Sequence, residues 1–212
     1  MHAACSAQWS GSVAWLSDER FRGDSLSNGR PVLEGAINGD LDNGLYAGSL
    51  LSVGPLGEHG DLKHAQLYAG YARPLVVMPL TWDIGFVSYR FWHADDTYSY
   101  DYSETYAALH GQRWNIRLAH ALHYFGGNAS ATYFEANAAQ PLGPRWSLTG
   151  HLGGLYGPAS VDEHLASQHM RVDFRAGVSY MQEALTLSLA LTALASGRQS
   201  HAATIMSVMQ RF

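Results

Sequence analysis

Strict alternation of apolar and polar residues constrains the fold of this chain more than any other feature of its sequence. In MRVDFRAGVSY (170–180) the apolar side chains from Met170 to Tyr180 stand at even positions, while Arg171, Asp173 and Arg175 stand at odd positions. The stretch LTLSLALTA (185–193) repeats the pattern with leucines at odd positions. A period of two is that of a β-strand and cannot form a stripe on a helix. The chain is therefore expected to form strands with one apolar face.

The same pattern predicts about twelve strands along the chain. Connections after even-numbered strands, such as DLDN and HGQR, are short, and several after odd-numbered strands are longer. Short turns at one end and longer loops at the other are typical of outer-membrane barrels. GGNA after the seventh strand is the exception, since a long connection is expected there. The expected spans are 8–22, 30–40, 43–53, 63–73, 79–92, 101–111, 114–124, 129–138, 144–155, 170–181, 184–194 and 203–212.

The composition favours a membrane location for these strands. Charged residues make up 15% of the chain, below the roughly 25% of soluble domains. The polar faces combine charges of both signs with small residues, and the chain has a single lysine, Lys63. We therefore predict an all-β fold, a closed antiparallel transmembrane β-barrel of about twelve strands spanning 8–212 after an unstructured segment at 1–7. The alternative is a soluble barrel in which the Leu185–Leu191 face turns inward.

The chain ends in TIMSVMQRF, with Phe212, Val208 and Met206 on one parity. A terminal aromatic residue after alternating apolar residues resembles the C-terminal signal by which outer-membrane barrels are recognised for insertion. Gln210 departs from the apolar or tyrosine residue usual at its place. We expect these three residues to act as the insertion signal. The expected location is the bacterial outer membrane, with its lipid, its lipopolysaccharide and the barrel-assembly machinery as partners.

The first predicted strand carries charges on one parity and large apolar residues on the other. Trp9, Val13, Trp15 and Phe21 are expected to face lipid, where tryptophan suits the headgroup level. The opposite parity points into the lumen, and its charges need partners there because buried charges must be paired. The charges on that parity are Asp18, Arg20 and Arg22.

The stretch SDERFRGDSLSNGRPVLEG (17–35) resembles the N-terminal signature of the proteobacterial TorF porin family. Glu19 stands where an aromatic residue is usual, on the lipid-facing parity, and is therefore placed at or above the outer edge of the membrane. The resemblance implies an outer-membrane β-barrel acting as a porin, and it implies no catalytic residues. The matching positions are Ser17, Asp18, Arg20, Phe21, Arg22, Gly23, Ser25, Ser27, Pro31 and Gly35.

Charges on the polar faces are expected to line the lumen. They form either a charged constriction that passes small solutes or a network of ion pairs that plugs the barrel. The number of strands does not decide between the pore and the plugged barrel. Barrels of about 8 strands are filled by side chains and those of about 16 strands hold a channel, and twelve lies between them. The excess of arginine predicts a mild anion preference. The predicted pore-lining residues are Asp18, Arg20, Arg22, Glu34, Asp83, Arg117, Glu135, Arg171, Asp173 and Arg175, and Asp40, Arg90 and Arg145 are further candidates.

A lipid-modifying barrel enzyme is the alternative function. His120 shares the lipid-facing parity, and Ser103 or Glu104 is expected roughly opposite it on the neighbouring strand. A catalytic serine needs such a histidine and a third group that orients it. No spacing motif supports this chemistry, so no catalytic residue is assigned.

Other classes of ligand receive little support from the sequence. His164 and His169, with Asp162 and Glu163, read as a solvated loop and not as a metal site. No metal and no cofactor are expected, and Cys5 is the single cysteine. The net charge of −5 argues against nucleic acid, which needs a basic surface. A closed structural or interaction barrel is a further alternative function.

Overall fold

Twelve long strands form one closed sheet in the computed structural model, which describes residues 7–54, 62–92, 100–158, 168–196 and 199–212. Between them lie a two-stranded hairpin and one turn of 3₁₀ helix. The barrel strands are β1 (Ala7–Leu16), β4 (Val32–Leu41), β5 (Leu45–Gly54), β6 (Leu62–Pro74), β7 (Thr81–Trp92), β8 (Tyr102–His110), β9 (Trp114–Ala121), β10 (Ala131–Pro141), β11 (Trp146–Pro158), β12 (Gln168–Gln182), β13 (Leu185–Ser196) and β14 (Gln199–Arg211). The hairpin consists of β2 (Arg20–Phe21) and β3 (Asp24–Ser25), and the 3₁₀ turn is η1 (Tyr124–Gly126).

The sheet closes because β1 pairs with both β4 and the last strand, β14. Each barrel strand runs antiparallel to its two neighbours. Beyond β14, the backbone N–H of Phe212 donates to the Gly11 carbonyl (3.0 Å), and the Gly11 N–H donates back (2.9 Å). Closure removes every free strand edge, as a β structure in lipid requires. The predicted closed antiparallel barrel is confirmed.

The predicted spans agree with the observed strands to within a few residues, except for the first. That strand was expected to continue to residue 22, but β1 ends at Leu16. The connection after β9 runs from 122 to 130, so the short GGNA exception disappears. β1 begins at Ala7, inside the segment expected to be unstructured, and residues 1–6 lie outside the described part.

Among the described residues, no helix is long and apolar enough to cross a membrane.

Large apolar side chains cover the outer wall of the barrel. On β13 the leucines from Leu185 to Leu191 are exposed, and Leu191 has 62% of its surface accessible. Trp9 is 71% exposed on β1. Such a wall suits lipid, in which apolar residues face outward and alternate with lumenal residues. The soluble alternative is wrong, because it requires the leucine face of β13 to point inward.

On the inner wall, tyrosine rings lie over glycines of the adjacent strand. Tyr46 on β5 stands directly across from Gly70 on β6, and Tyr68 on β6 stands across from Gly48 on β5. A Cβ added at Gly70 or Gly48 would overlap the ring that covers it. Glycine is required here because it lets a neighbouring group approach the backbone closely.

Substitution of Gly70 by alanine is expected to lower the free energy of unfolding by about 1–3 kcal/mol, the usual cost of overpacking. The added methyl group would meet both the Tyr46 ring and the backbone oxygen of Ile84, which cannot move aside easily. Urea unfolding of the refolded barrel in detergent measures the change. Gly150→Ala is the matched control, because an added Cβ there meets no atom within 4 Å. Equal losses in the two variants would contradict the packing argument.

Candidate functional site: the barrel lumen

Residues 17–31 fold into the barrel instead of extending β1, and we call them the inward segment. The N–H of Ser17 donates to the Met206 carbonyl on β14 (2.9 Å), after which the chain turns away from the wall. β2 and β3 then form a hairpin whose two turn residues, Arg22 and Gly23, have φ of +51° and +84°. Positive φ at both positions is the geometry of a two-residue hairpin turn, which favours glycine.

Asp18 organises the base of the inward segment. Its Oδ1 accepts hydrogen bonds from the hydroxyls of Ser25 (2.5 Å) and Ser27 (3.0 Å) and from the N–H of Gly29 (3.2 Å). Its Oδ2 accepts from Arg20 Nε at 2.5 Å. These contacts account for several residues of the signature at once. They hold the segment in one shape, and Asp18 is only 5% exposed.

Glu19 anchors the segment to the wall of β5 and β6. Its Oε1 lies 2.9 Å from His64 Nδ1, and its Oε2 accepts from the Ser52 hydroxyl at 2.7 Å. Glu19 therefore faces the lumen and not lipid, so the lipid-facing parity expected for it is wrong, and its height relative to the membrane edge stays a prediction. Strand parity does not apply to Glu19, because β1 has already ended at Leu16.

Two arginine–carboxylate pairs hold the hairpin to other strands. Arg22 Nη2 donates to Glu104 Oε1 on β8 at 2.5 Å, and both side chains are almost fully buried. Arg171 on β12 binds Asp24 of β3. The inward segment is thus tied to opposite parts of the barrel wall.

Phe21 packs inside the barrel and does not face lipid as predicted. Its ring lies 5.3 Å from that of Tyr89, 6.3 Å from Phe91 and 6.0 Å from Phe125, measured between centroids and all edge-on. Phe125 belongs to η1, in the connection after β9. Burial raises the pKa of the neighbouring Tyr124, so this residue contributes a neutral ring. The lumen at this end is filled by an aromatic core.

Polar residues on the strands form further pairs in the lumen. Arg117 lies 3.1 Å from Glu135, and the two residues are directly opposite on β9 and β10. Asp83 accepts from the Tyr46 hydroxyl at 2.6 Å and lies 3.2 Å from His110.

A second lumenal network surrounds Asp173 on β12. Asp173 Oδ1 lies 2.8 Å from His151 Nε2, and Asp173 Oδ2 accepts from the Tyr133 hydroxyl at 3.1 Å. The other ring nitrogen of His151 lies 2.7 Å from Asn137 Oδ1. The acceptor positions of this carboxylate are therefore occupied.

Between residues that the structure describes, the lumen contains cavities of about 210, 560 and 400 Å³. The first lies beside the hairpin and includes Phe21 and Thr192, and the second follows the small polar side chains of β13 and β14. The third lies at the opposite mouth, near Gly111. Arg175, the middle residue of β12, lines all three. It makes no hydrogen bond or ion pair with any residue that the structure describes.

Most of the charges that sequence patterning assigns to the lumen are found on the inner side of the barrel. Arg90 is a correction, because it lies on the outward parity of β7, where its exposed side chain binds Asp101 at 2.5 Å. Arg145 is a second correction, since it lies in the turn before β11 and donates to Tyr180. The inward-lying set is Asp18, Arg20, Arg22, Glu34, Asp40, Asp83, Arg117, Glu135, Arg171, Asp173 and Arg175.

Several lumenal residues were missed by the sequence analysis. His64, Tyr133 and His151 share the lumenal parity of their strands, so the alternation itself contained the signal. They were overlooked because only charged residues were sought. Uncharged donors and acceptors supply the partners of Glu19 and Asp173.

The residues of the enzyme alternative are not brought together. His120 lies on the outer face, where Nδ1 is 2.9 Å from the Thr132 hydroxyl, and Thr105 stands opposite it on β8. Glu104 points into the lumen and binds Arg22. Ser103 is opposite Ser88 on β7.

The histidines of the predicted outer loop cannot be placed in the same way. His164, Asp162 and Glu163 lie outside the described residues, and His169 is described only as backbone in β12.

The residues of the expected insertion signal lie at the end of the chain, on the outer wall. Phe212 is 77% exposed beside Gly11, and Met206 and Val208 are exposed on β14. Their recognition by the assembly machinery stays a prediction.

By its fold, this barrel is similar to solved outer-membrane channels. The chain is similar to the KdgM porin (TM-score 0.57, 10% identity, 96% of this chain and 98% of that chain) and to the KdgM porin in complex with disordered oligogalacturonate (0.55, 8%, 97% and 98%). It is also similar to an outer-membrane channel from Pseudomonas putida F1 (0.53, 14%, 96% and 95%). At these identities the likeness is one of fold.

A family model described as "Bacterial protein of unknown function (Gcw_chp)" matches residues 1–208. No curated protein sequence matches the chain. The narrower resemblance to the TorF family stays a prediction.

Proposed function

Because the chain belongs to the Gcw_chp family of bacterial proteins of unknown function, we propose a function from its own geometry. It is a narrow, anion-preferring channel for small solutes in the bacterial outer membrane, constricted by the inward segment. The observation that carries this proposal is the position of Arg175, which lines all three lumenal cavities and has no partner in the described part of the chain.

Three of the lumenal carboxylates have arginine partners, and this pairing supports anion preference. Asp18 binds Arg20, Glu104 binds Arg22, and Glu135 faces Arg117. A paired carboxylate has a weaker field along the pathway than a free guanidinium. Arg175, midway along β12, is therefore the unpaired positive charge that we expect a solute to meet near the middle of the barrel. The low dielectric constant of the barrel wall strengthens the electric field of such a charge in the lumen.

The class of solute follows from the same charge. An arginine side chain presents a planar fork that matches carboxylate or phosphate oxygens. The KdgM porin, of similar fold, has been solved with oligogalacturonate, a carboxylated sugar chain. We therefore propose small carboxylated or phosphorylated molecules as the solutes. Outer-membrane lipid, lipopolysaccharide and the barrel-assembly machinery follow as partners from the proposed location.

Ion selectivity in planar bilayers tests the proposal. We expect the wild-type barrel to open steadily and to prefer chloride over potassium, as measured by the reversal potential in a salt gradient. Arg175→Ala is expected to reduce this preference, because it removes the unpaired lumenal charge. Arg145→Ala removes an equal charge outside the lumen, where the side chain binds Tyr180, and is expected to leave selectivity unchanged.

A closed structural barrel is the second candidate, and the packing of the hairpin favours it. A Cβ added at Gly23 would lie 2.7 Å from Asp173 Cβ and 3.0 Å from Leu194 Cδ1, so the hairpin packs directly against the wall at β12 and β13. If the well-folded wild type carries no current at any voltage that the bilayer tolerates, the channel function is contradicted and the closed structural barrel is left. Steady openings with unchanged selectivity in Arg175→Ala would contradict the assigned role of Arg175.

A further inference from the structure

A cavity of about 210 Å³ lies between the hairpin of the inward segment and the barrel wall. Four arginines line it, and we call it the arginine cavity. They are contributed by different elements, namely the inward segment, β9 and β12. The arginines are Arg20, Arg22, Arg117 and Arg175, and the other polar lining residues are Tyr89, Tyr133, Glu135, Asn137, His151, Asp173 and Thr192.

The two carboxylates and the Asn137 amide oxygen that line the arginine cavity already have partners, through hydrogen bonds or an ion pair. Asp173 is bound by His151 and Tyr133, and Glu135 faces Arg117. The Oδ1 of Asn137 lies 2.7 Å from His151 Nδ1. A cation would therefore find few available oxygens in the arginine cavity.

Hydrogen-bond donors in the arginine cavity are in excess. Arg175 binds no other residue within the described ranges, so its fork of five N–H groups is available. Arg22 Nη1 is buried without a hydrogen-bond partner among those residues, although Nη2 of the same side chain binds Glu104. Arg117 Nε lies near Glu135 but is not aligned to donate to it. Buried donors without partners are costly, so an acceptor ligand stabilises this arrangement.

We propose that the arginine cavity is a binding site for a small oxyanion, with Arg175 as its principal ligand. Charge-assisted hydrogen bonds from arginine to carboxylate or phosphate are short and frequently bidentate. At about 30 Å³ per water-sized group, the cavity holds about seven such groups, which admits inorganic phosphate or a four-carbon dicarboxylate. The site gives the proposed anion preference a location in the lumen, and its biological role rests on the proposed channel function. A permeating anion binds transiently at this site, beside the hairpin.

Calorimetric titration of the refolded full-length barrel in detergent tests the site. The probes are succinate and inorganic phosphate in separate titrations, with the neutral succinamide as control. We expect saturable binding of at least one anion and none of succinamide. Binding of succinate indicates a carboxylate site, and binding of inorganic phosphate indicates a phosphate site. Absence of saturable binding for both anions would overturn the proposal.

Two substitutions assign the binding to Arg175. Arg175→Ala is expected to raise the dissociation constant of the anion at least tenfold, because it removes a charge-assisted contact. Arg175→Lys is expected to raise the dissociation constant less. Arg145→Ala is the matched control and should bind as the wild type does. Heat-modifiable migration on gels confirms that each variant is folded. Binding that survives unchanged in the folded Arg175→Ala barrel would overturn the assignment.

The titration separates this proposal from the channel itself. It measures binding without current, so a barrel that binds succinate through Arg175 but never conducts supports the site and contradicts the channel. A barrel that conducts with anion preference but binds neither anion contradicts the site and leaves the channel standing.

Discussion

Replacement of the inward segment by a short turn is expected to raise the single-channel conductance several-fold. The hairpin and its aromatic partners pack together in the lumen at one end, so we expect the segment to limit the pathway there. Leu16 and Val32 already stand opposite each other in the β1–β4 register. A two-residue Asn-Gly turn can therefore join them in place of residues 17–31, because that pair favours the tight hairpin geometry. Planar-bilayer recordings measure the change.

The deletion must not be confused with a damaged barrel. Removal of the segment leaves Glu104 without Arg22, so Glu104→Gln is included in the same variant to avoid a buried unpaired charge. The matched control replaces the exposed residues 76–78, in the turn between β6 and β7, with Gly-Ser-Gly at constant length. This control is expected to conduct as the wild type does. A folded deletion variant with unchanged conductance would show that the segment does not limit the pathway.

Substitution of Glu104 by leucine is expected to cost about 3–5 kcal/mol in the free energy of unfolding, the range for breaking a buried ion pair. The side chains of Arg22 and Glu104 are 4% and 1% exposed, so Glu104→Leu leaves a guanidinium buried without its counter-charge. Adding Arg22→Met to this variant is expected to recover most of the loss, since two apolar side chains replace the pair. Urea titrations of the four proteins of this cycle measure the coupling.

An exposed pair supplies the control for this cycle. Arg90 and Asp101 are also 2.5 Å apart, but the Arg90 side chain is 55% exposed. Arg90→Met is expected to cost about 0–1 kcal/mol, because water already solvates both charges. If Glu104→Leu cost no more than Arg90→Met, or if the double variant were less stable than Glu104→Leu alone, the pair would not be the anchor described above.

Patterning along the sequence was sufficient for the barrel wall. Residues 170–180 and 185–193 alternate so strictly that strand identity and the two faces follow from local sequence, and the same pattern along the chain predicted the closed antiparallel barrel that the structure shows. Charges such as Arg117 and Glu135 lie on the inward parity that the pattern predicts, since a shift of one residue would reverse every side chain of a strand, and their role in lining a pore stays a prediction. Arg90 was misplaced, because a charge near a strand end can remain in water on the outer side.

Sequence by itself therefore determined a twelve-stranded barrel with an apolar outer wall and a charged interior, since a period of two is a local property of the chain. Only the tertiary structure decided what residues 17–31 do. Parity assigned Phe21 and Glu19 to the lipid-facing side, yet their partners Tyr89 and His64 lie on distant strands. Which groups meet in the lumen depends on barrel closure, which brings β6, β8 and β12 around one hairpin. The physical reason is that a buried charge takes whichever partner the closed wall presents, and no local pattern encodes that choice.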